Sequence, residues 1–164
     1  MSTAQPNARE IRVALVGCGR ISANHFDAIQ KVDGVRLTAV ADSDEDRART
    51  AGAAQRVPWY SSYAELLKHA DCDVVTICTP SGLHSSQGIA AARAGKHVIT
   101  EKPMSITLEQ ADALVQACDD AGVRLFVVKQ NRLNPSIQLL KRAVDKGRFG
   151  RIYLANTTVR WGRL

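Results

Sequence analysis

The sequence predicts an α/β fold: a doubly wound parallel sheet followed by the start of a truncated α+β domain. Three observations predict it. Apolar runs alternate with segments of helical periodicity, as in repeated β-α units. Residues typical of helix starts and stops stand between the runs. A glycine-rich turn directly follows the first run.

Six short apolar runs predict the strands of the parallel sheet. A sheet that helices cover on both faces needs strands that are apolar throughout. The runs are Arg12 to Val16, Val35 to Ala41, Val57 to Tyr60, Val74 to Thr79, His97 to Thr100 and Leu125 to Lys129. A further segment, Arg151 to Trp161, is rich in Thr, Val and Tyr and predicts a long strand. A lone strand cannot satisfy its edges, so we expect its sheet to lie beyond this chain or its partner to lie elsewhere.

Helix boundaries are marked between these runs. Two pairs fit the capping box, in which a cap side chain and the residue three positions later satisfy free backbone amides: Ser62 with Glu65, and Thr107 with Gln110. Asn134 followed by Pro135 predicts the start of a last helix. Glycines predicted to end helices are Gly95, Gly122 and Gly147.

Composition excludes several classes of protein. The chain has 164 residues, of which 45% are hydrophobic, without a run long enough to span a membrane and without the apolar core of a signal peptide. We therefore expect a soluble, cytoplasmic protein with no membrane contact. The four cysteines form no C-x-x-C pair and no histidine stands at metal-ligand spacing, which favours reduced buried thiols and no metal.

Charge is distributed unevenly along the chain. Residues 124–164 carry ten Lys or Arg against one acid, while the formal net charge of the whole chain is +6. Such a segment is either a solvated basic helix face or a surface for an anionic partner. Nucleic acid is not expected, because the basic residues are not interleaved with aromatic residues on which bases could stack.

The turn after the first run reads VALVGCGRIS and resembles the dinucleotide fingerprint G-x-G-x-x-G, with Ser22 in the third position. The fingerprint needs a glycine for the tight turn, a second so that the backbone approaches a pyrophosphate, and a small third residue for helix packing. Gly17 and Gly19 supply the first two. We expect the free amides around Gly19, Arg20 and Ile21 to point at the phosphates from a helix N-terminus.

An acid at the end of the second strand completes the pattern. Asp42 could hold the ribose hydroxyls of NAD and would repel the 2′-phosphate of NADP, so NAD is the predicted cofactor. The alternative is a helix-capping acid in front of Asp44 and Glu45. A methyltransferase turn is disfavoured, because Val16 stands where that motif carries an acid.

Three motifs in order resemble the glucose-fructose oxidoreductase / inositol dehydrogenase / MocA (Gfo/Idh/MocA) family: GCGRIS at 17–22, TPSGLH at 79–84 and EKP at 101–103. They stand at the carboxyl ends of successive predicted strands, where such sheets bind ligands. The resemblance implies a Rossmann domain and a mostly antiparallel second domain that together oxidise or reduce a sugar or polyol carbon with NAD(P). It therefore predicts a flexible N-terminus at 1–10, an NAD-binding domain at 11–130, and a connecting helix and first strand of the second domain at 131–164.

The resemblance also implies residue roles. Thr79 and Pro80 would pass beside the cofactor, Glu101 would contact the nicotinamide ribose, and Lys102 would stand at the substrate hydroxyl as the catalytic residue. His84 would be a cleft residue or a structural cap. From the residues alone, burial beside a cationic nicotinamide would favour a neutral Lys102 suited to acid-base work; the alternative is a surface lysine that pairs with Glu101.

Other polar residues are assigned with their alternatives. Asn131 and Arg132 are candidates for substrate binding, or else loop residues in front of the next helix. The remaining histidines are expected to be structural; they are His25, His69 and His97.

The segments KQNRLNP and GRFGRIYLANTTVRWGR are similar to those of bacterial UDP-N-acetyl-2-amino-2-deoxyglucuronate dehydrogenases, which oxidise a sugar C3 hydroxyl. This similarity implies an anionic sugar or sugar-nucleotide substrate. A dehydrogenase of inositol or another polyol, or a non-catalytic dinucleotide-binding or sensing module, are the alternatives. Family members carry a proton-transferring histidine and a second domain beyond the point where this chain ends. We expect these residues alone to bind NAD with little turnover, and the full-length protein to be a homo-oligomer.

Overall fold

A computed structural model describes residues 9–160. The chain divides into two compact units at Val128 and Lys129. Of the segment predicted to be flexible, residues 1–8 lie outside the described residues. Arg9 forms an ion pair with Asp73 at 3.0 Å, and Glu10 contacts Arg36 at 2.5 Å.

The first unit is built on a six-stranded sheet in which every pairing is parallel, and this confirms the predicted fold class. The strand order is β3-β2-β1-β4-β5-β6, so the order reverses between β1 and β4. Ligands bind at such a reversal in doubly wound sheets. The strands are β1 Ile11–Val16, β2 Val35–Ala41, β3 Trp59–Tyr60, β4 Val74–Ile77, β5 His97–Thr100 and β6 Leu125–Val127.

Helices connect the strands of the first unit: α1 Ser22–Lys31, α2 Glu45–Gln55, α3 Tyr63–His69, α4 His84–Arg93 and α5 Leu108–Asp120. A 3₁₀ turn at Ser81–Leu83 leads into α4. Each crossover therefore carries the next strand back to the same edge of the sheet, and the carboxyl ends of the strands meet there.

Two apolar clusters cover the two faces of the sheet. On one face, small strand residues such as Ala14 and Ala39 pack with Leu66 of α3 and Leu114 of α5. On the other, Leu15 and Val40 pack with Phe26 of α1. Neighbouring residues of β1 and β2 thus face opposite clusters, as the period of two in a strand requires. Burial on both faces explains the continuous apolar runs.

Helix ends follow the predictions only in part. Thr107 accepts a hydrogen bond from the amide of Gln110 at 3.3 Å, whereas Ser62 caps α3 without a side-chain hydrogen bond. The box predicted at Ser62 is therefore wrong. That at Thr107 is only half formed, because the buried Oε1 of Gln110 accepts no hydrogen bond from any described residue. Gly95, Gly122 and Gly147 adopt positive φ at helix ends, as predicted.

Three strands are shorter than their apolar runs. Pairing of β3 begins only at Trp59, because the amide of Val57 donates to the carbonyl of Gly52 in the preceding helix end. β4 ends at Ile77, before Cys78 and Thr79, which line the cleft described below, and β6 ends at Val127. An apolar run thus marks burial, and the hydrogen-bonding partner decides where the strand ends.

The second unit contains a 3₁₀ turn at Gln130–Leu133 and helix α6 at Pro135–Asp145. Asn134 precedes α6 and Pro135 is its first residue, as predicted, although the Asn134 side chain makes no cap hydrogen bond. The predicted strand at 151–161 is wrong over residues 151–160, which form no strand, and Trp161 lies outside the described residues. High β propensity cannot form a strand without a partner strand.

Candidate functional site

A cleft of about 690 Å³ opens at the carboxyl ends of β1, β2 and β4. Its lining includes five residues that the sequence predicted: Gly17, Gly19, Asp42, Thr79 and Pro80. It also includes polar residues that the sequence did not single out: Ser43, Arg47, Ser61, Tyr63 and Gln87. Its volume lies in the range of small-molecule and cofactor sites.

Gly17 is required by both its conformation and its surroundings. Its φ is +93°, which disfavours L side chains, and a Cβ placed on it would lie 2.6 Å from the carbonyl carbon of Cys78. Its amide donates to the carbonyl of Ala41 at 2.8 Å. The turn after β1 is thereby packed directly against the backbone that leaves β4.

Gly19 faces open space instead. A Cβ placed on Gly19 would meet no atom within 4 Å. Among the described residues, none accepts a hydrogen bond from the amides of Gly19, Arg20 or Ile21. Free amides at the start of a helix attract anions, so this turn fits the pyrophosphate that the motif predicts.

Ser22, in the position of the third glycine, has a defined structural role. Its residue is 3% exposed, and its hydroxyl donates to the carbonyl of Gly19 at 2.6 Å. A small residue is needed there because helix α1 packs closely on the sheet. The serine hydroxyl thereby ties the first turn of α1 to the glycine turn.

Asp42 braces the glycine turn. Its Oδ2 accepts from the amide of Cys18 at 2.8 Å, and its Oδ1 accepts from the amide of Asp44 at 2.9 Å. The N-cap of α2 is Asp44, which accepts from the amide of Arg47, so Asp42 itself is not the helix cap. A carboxylate on the cleft wall at this point fits the predicted contact with ribose hydroxyls.

Beyond β4, hydrogen bonds hold the loop at Thr79. Its hydroxyl donates to Oε1 of Gln87 at 2.5 Å, and the Tyr63 hydroxyl donates to the carbonyl of Gln87 at 2.8 Å. Gln87 thus links α3 to the Thr79 loop. The sequence could have indicated Gln87 by its position one turn into α4, the helix that begins after TPSGL.

Glu101 lies at the end of β5 and is 8% exposed. Its Oε1 lies 2.9 Å from Nε2 of His25, and its Oε2 accepts from the amide of Lys102 at 3.2 Å. The sequence analysis predicted a structural His25 and did not predict this contact. The spacing of three from the buried Ser22 indicates that His25 lies on the same helix face, but it does not identify Glu101 as the partner.

The side chain of Lys102 is exposed, and its Nζ forms no ion pair with any of residues 9–160. The alternative of a lysine paired with the Glu101 carboxylate is therefore not what the structure shows, because His25 takes that place. The predicted burial of Lys102 is likewise not what the described residues show, since its side chain is exposed at the carboxyl edge of the sheet.

His84 is 1% exposed and lies between two loops. Its Nε2 is 2.7 Å from the carbonyl of Thr79, and its Nδ1 is 2.6 Å from the carbonyl of Pro103. Each ring nitrogen lies against a carbonyl oxygen, so neither is free to contact a cofactor; a neutral ring carries a single N–H and donates to only one of the two carbonyls. The predicted alternative, a helix cap, is not formed either, because no side chain caps α4. His84 instead bridges the loops that follow β4 and β5.

The cysteines near the cleft are not activated nucleophiles. Burial and the negative charge of Asp42 raise the pKa of Cys18 to about 12. Burial and the charge of Glu101 raise the pKa of Cys78. In the part of the chain that the structure describes, no three His, Cys, Asp or Glu side chains are grouped to hold a metal ion.

Asn131 and Arg132 belong to the second unit and lie in its 3₁₀ turn. Oδ1 of Asn131 accepts from Nδ2 of Asn134 at 3.4 Å, and the amide of Arg132 donates to the carbonyl of Lys129 at 3.0 Å. Their predicted role in substrate binding stays a prediction.

Comparison with known proteins was made at the level of family, sequence and structure. The sequence model of the Gfo/Idh/MocA family, described as an oxidoreductase family with an NAD-binding Rossmann fold, matches residues 11–129. A D-apiose dehydrogenase of Paraburkholderia graminis is 36% identical over 100% of this chain and 42% of its own length. A myo-inositol 2-dehydrogenase of Thermotoga maritima is 32% identical over 92% of this chain and 45% of its own.

Among solved structures, the WlbA dehydrogenase of Bordetella pertussis in complex with NADH and UDP-GlcNAcA is 49% identical, with a TM-score of 0.86. The match covers 88% of this chain and 45% of that protein. The chain therefore spans less than half the length of these relatives. No helix in residues 9–160 has both the length and the apolar character needed to cross a membrane.

Proposed function

Because the chain belongs to the Gfo/Idh/MocA oxidoreductase family, we propose that it forms the NAD-binding part of a dehydrogenase that oxidises a sugar-nucleotide hydroxyl. The observation that carries the proposal is the glycine turn, with Gly17 closed against the backbone after β4 and Gly19 open beside free amides. The relatives quoted above are all named as dehydrogenases.

The described cleft supports NAD as the cofactor. The free amides after Gly19 would hold the pyrophosphate, and Asp42 would accept hydrogen bonds from the ribose hydroxyls while repelling a 2′-phosphate. Arg47 also lines the cleft, but its Nε is 3.0 Å from Oδ2 of Asp44, which holds it beside an acid. NADP is therefore the less favoured cofactor.

The substrate proposal is an anionic sugar nucleotide such as UDP-N-acetylglucosaminuronate. Its support is the similarity to WlbA dehydrogenases bound to NADH and UDP-GlcNAcA, at 49% identity for one and 46% for another from Chromobacterium. The ten basic residues against one acid in residues 124–164 also suit a substrate with a diphosphate and a carboxylate.

Lys102 is the residue that we assign to the substrate hydroxyl. Bound NAD supplies the hydride acceptor. In its neutral form the amine of Lys102 would accept a hydrogen bond from the reacting hydroxyl and take up its proton, becoming an ammonium group. The buried Glu101 would contact the nicotinamide ribose. The family resemblance implies a further proton-transferring histidine that is not among the described residues.

The test uses the full-length polypeptide that contains this chain, with NAD and a panel of UDP-sugars and polyols, followed by the absorbance of the reduced cofactor. We expect turnover of a UDP-uronate sugar, loss of turnover in Lys102→Ala, and an NAD affinity within about threefold of the wild type, since the pyrophosphate turn is untouched. Wild-type turnover that persists in Lys102→Ala contradicts the assigned role.

Inositol or another polyol is the second candidate substrate. The 32% identity to a myo-inositol 2-dehydrogenase favours it. In the same panel, turnover of an inositol and not of UDP-sugars would select this candidate. NAD binding without turnover of any compound would favour a non-catalytic module.

The proposal extends to the assembly and the compartment. We propose a homo-oligomer for the full-length protein, to be measured by light scattering after gel filtration. We also propose a cytoplasmic location, which is supported by four cysteines that are all free thiols. Fractionation of cells that express a tagged full-length protein tests the location.

A further inference from the structure

Two histidines from different helices contact the short segment that contains Lys102. His25 of α1 places its Nε2 2.9 Å from Oε1 of Glu101. His84 of α4 places its Nδ1 2.6 Å from the carbonyl oxygen of Pro103. The two contacted residues are the immediate neighbours of Lys102 in the chain.

Both contacts are shielded from water. The side chains of His25 and Glu101 are 15% and 10% exposed, and His84 is 1% exposed. Water cannot easily replace a partner at such sites, so a broken contact leaves a buried polar group unsatisfied. These contacts therefore define the geometry of the segment more strongly than a surface pair would.

His84 also connects this segment to the cofactor cleft. Its Nε2 is 2.7 Å from the carbonyl oxygen of Thr79, and Thr79 lines the cleft. The ring thus spans from the end of β4 to the end of β5. Of its two contacts, the one to Pro103 lies on the side of Lys102.

The backbone, not the amine, of Lys102 is held by the protein. Its amide donates to Oε2 of Glu101 at 3.2 Å, while its exposed side chain forms no ion pair within residues 9–160. The position of the free amine is therefore set by where the neighbouring residues hold the main chain.

We propose that His25 and His84 are positioning residues that hold Lys102 at the right distance from the cofactor and the substrate hydroxyl. We call the pair the histidine clamp. This inference rests on the proposed function, because it assigns the clamp to the catalytic lysine. A displacement of a reacting group by about 1 Å can cost about a hundredfold in rate without loss of binding.

The test uses substitutions that keep or remove a single contact. In His84→Asn the amide nitrogen stands near the position of Nδ1 and can still donate to Pro103. In His84→Gln it stands near the position of Nε2 and can donate only to Thr79. In the same way, His25→Gln keeps a donor for Glu101, and His25→Ala removes it.

We expect the two substitutions that remove the polar contact on the Lys102 side, His84→Gln and His25→Ala, to lower kcat at least about tenfold. In His84→Gln the Kd for NAD should change less than about threefold, because the glycine turn and the Thr79 contact are kept. His25→Ala also releases the Glu101 carboxylate that we assign to the nicotinamide ribose, so its NAD affinity should fall, but by a smaller factor than its kcat. His84→Asn and His25→Gln should keep kcat within about threefold of the wild type. A general loss of stability would lower kcat and weaken NAD binding together. It would also affect His84→Gln and His84→Asn equally, and His25→Ala and His25→Gln equally.

His69 offers a matched control. Its Nε2 is 3.0 Å from Oε2 of Glu65, one turn earlier on α3, and its side chain is 49% exposed. His69→Ala breaks a histidine-glutamate contact away from the cleft and should leave kcat unchanged. The clamp is overturned if His84→Gln and His25→Ala behave like this control, or if His84→Asn loses as much activity as His84→Gln.

Hydrogen exchange of the Lys102 amide, which donates to Oε2 of Glu101 at 3.2 Å, gives a readout that needs no turnover. Faster exchange in His84→Gln than in His84→Asn supports the clamp, and equal exchange overturns it. If the wild-type protein turns over no substrate, the proposed function fails and the exchange comparison alone decides the clamp. If His84→Gln does not fold, the same comparison of kcat and exchange is made between His25→Ala and His25→Gln.

Discussion

Gly17→Ala should destabilise the fold by an amount that the structure allows us to divide in two. The first part is conformational, because φ at Gly17 is +93° and an L side chain there costs about 1–2 kcal/mol. The second part is steric, because the new Cβ would lie 2.6–2.8 Å from backbone atoms of Cys78 and Thr79. Overpacking against a rigid neighbour costs about 1–3 kcal/mol. We expect a loss of about 2–5 kcal/mol in the free energy of unfolding.

Gly34 provides a matched control for the conformational part. Its φ is +76°, and a Cβ placed on it would meet nothing within 4 Å. Gly34→Ala should therefore cost only about 1–2 kcal/mol. The difference between the two variants, measured by urea unfolding, isolates the contact of the glycine turn with the backbone after β4. Equal losses in the two variants would refute the steric part of the reasoning.

Gly19→Ala separates binding from folding at the same turn. A Cβ there meets no protein atom within 4 Å, so the free energy of unfolding should change by less than about 1 kcal/mol. The methyl group would occupy the space in which a pyrophosphate approaches the free amides, so NAD affinity measured by calorimetry should fall at least about tenfold. Wild-type affinity in Gly19→Ala would mean that this turn does not hold the cofactor.

Three further outcomes follow from single contacts. Asp42→Ala should weaken NAD binding and lower the preference for NAD over NADP, measured as the ratio of the two Kd values; an unchanged ratio would remove Asp42 from the selectivity site. Ser22→Gly should lose the hydroxyl contact to the carbonyl of Gly19 and about 1 kcal/mol of stability, with NAD affinity within about threefold of the wild type in a titration. Hydrogen bonds from Arg12 hold the pKa of Asp73 well below its usual value, so this carboxylate contributes stability above about pH 4 that is lost as the pH falls through the lower folded pKa. Asp73→Asn should therefore be less stable at neutral pH and lose less stability on acidification than the wild type; parallel curves of unfolding free energy against pH would contradict this.

The order of strands and helices in the first unit could be predicted from the sequence because each element is encoded locally. Apolar runs of a buried parallel sheet, and glycines such as Gly95 and Gly122 at helix ends, carry their signal within a few residues. The strand predicted at residues 151–160 is wrong because only local signals were available. Its β propensity is local, but a strand requires a partner that the segment itself does not encode.

The residues assigned to the cofactor could also largely be predicted from the sequence. Gly17, Gly19 and Asp42 stand at fixed offsets from the first two strands, so their spacing alone brings them to one edge of the sheet. The contacts around Lys102 could not be predicted from local spacing. His25 is 76 residues from Glu101, and His84 is 19 residues from Pro103.

The sequence by itself therefore determined the parallel sheet, the turn that fits a dinucleotide and the acid that favours NAD. Only the tertiary structure decided which side chains hold these parts together. It paired Glu101 with His25 rather than with Lys102, buried His84 between two carbonyls, and used Ser22 to fix the turn. The physical reason is that local patterns fix backbone conformation, whereas hydrogen-bond partners distant in sequence are chosen only when packing brings the strand ends and helices together.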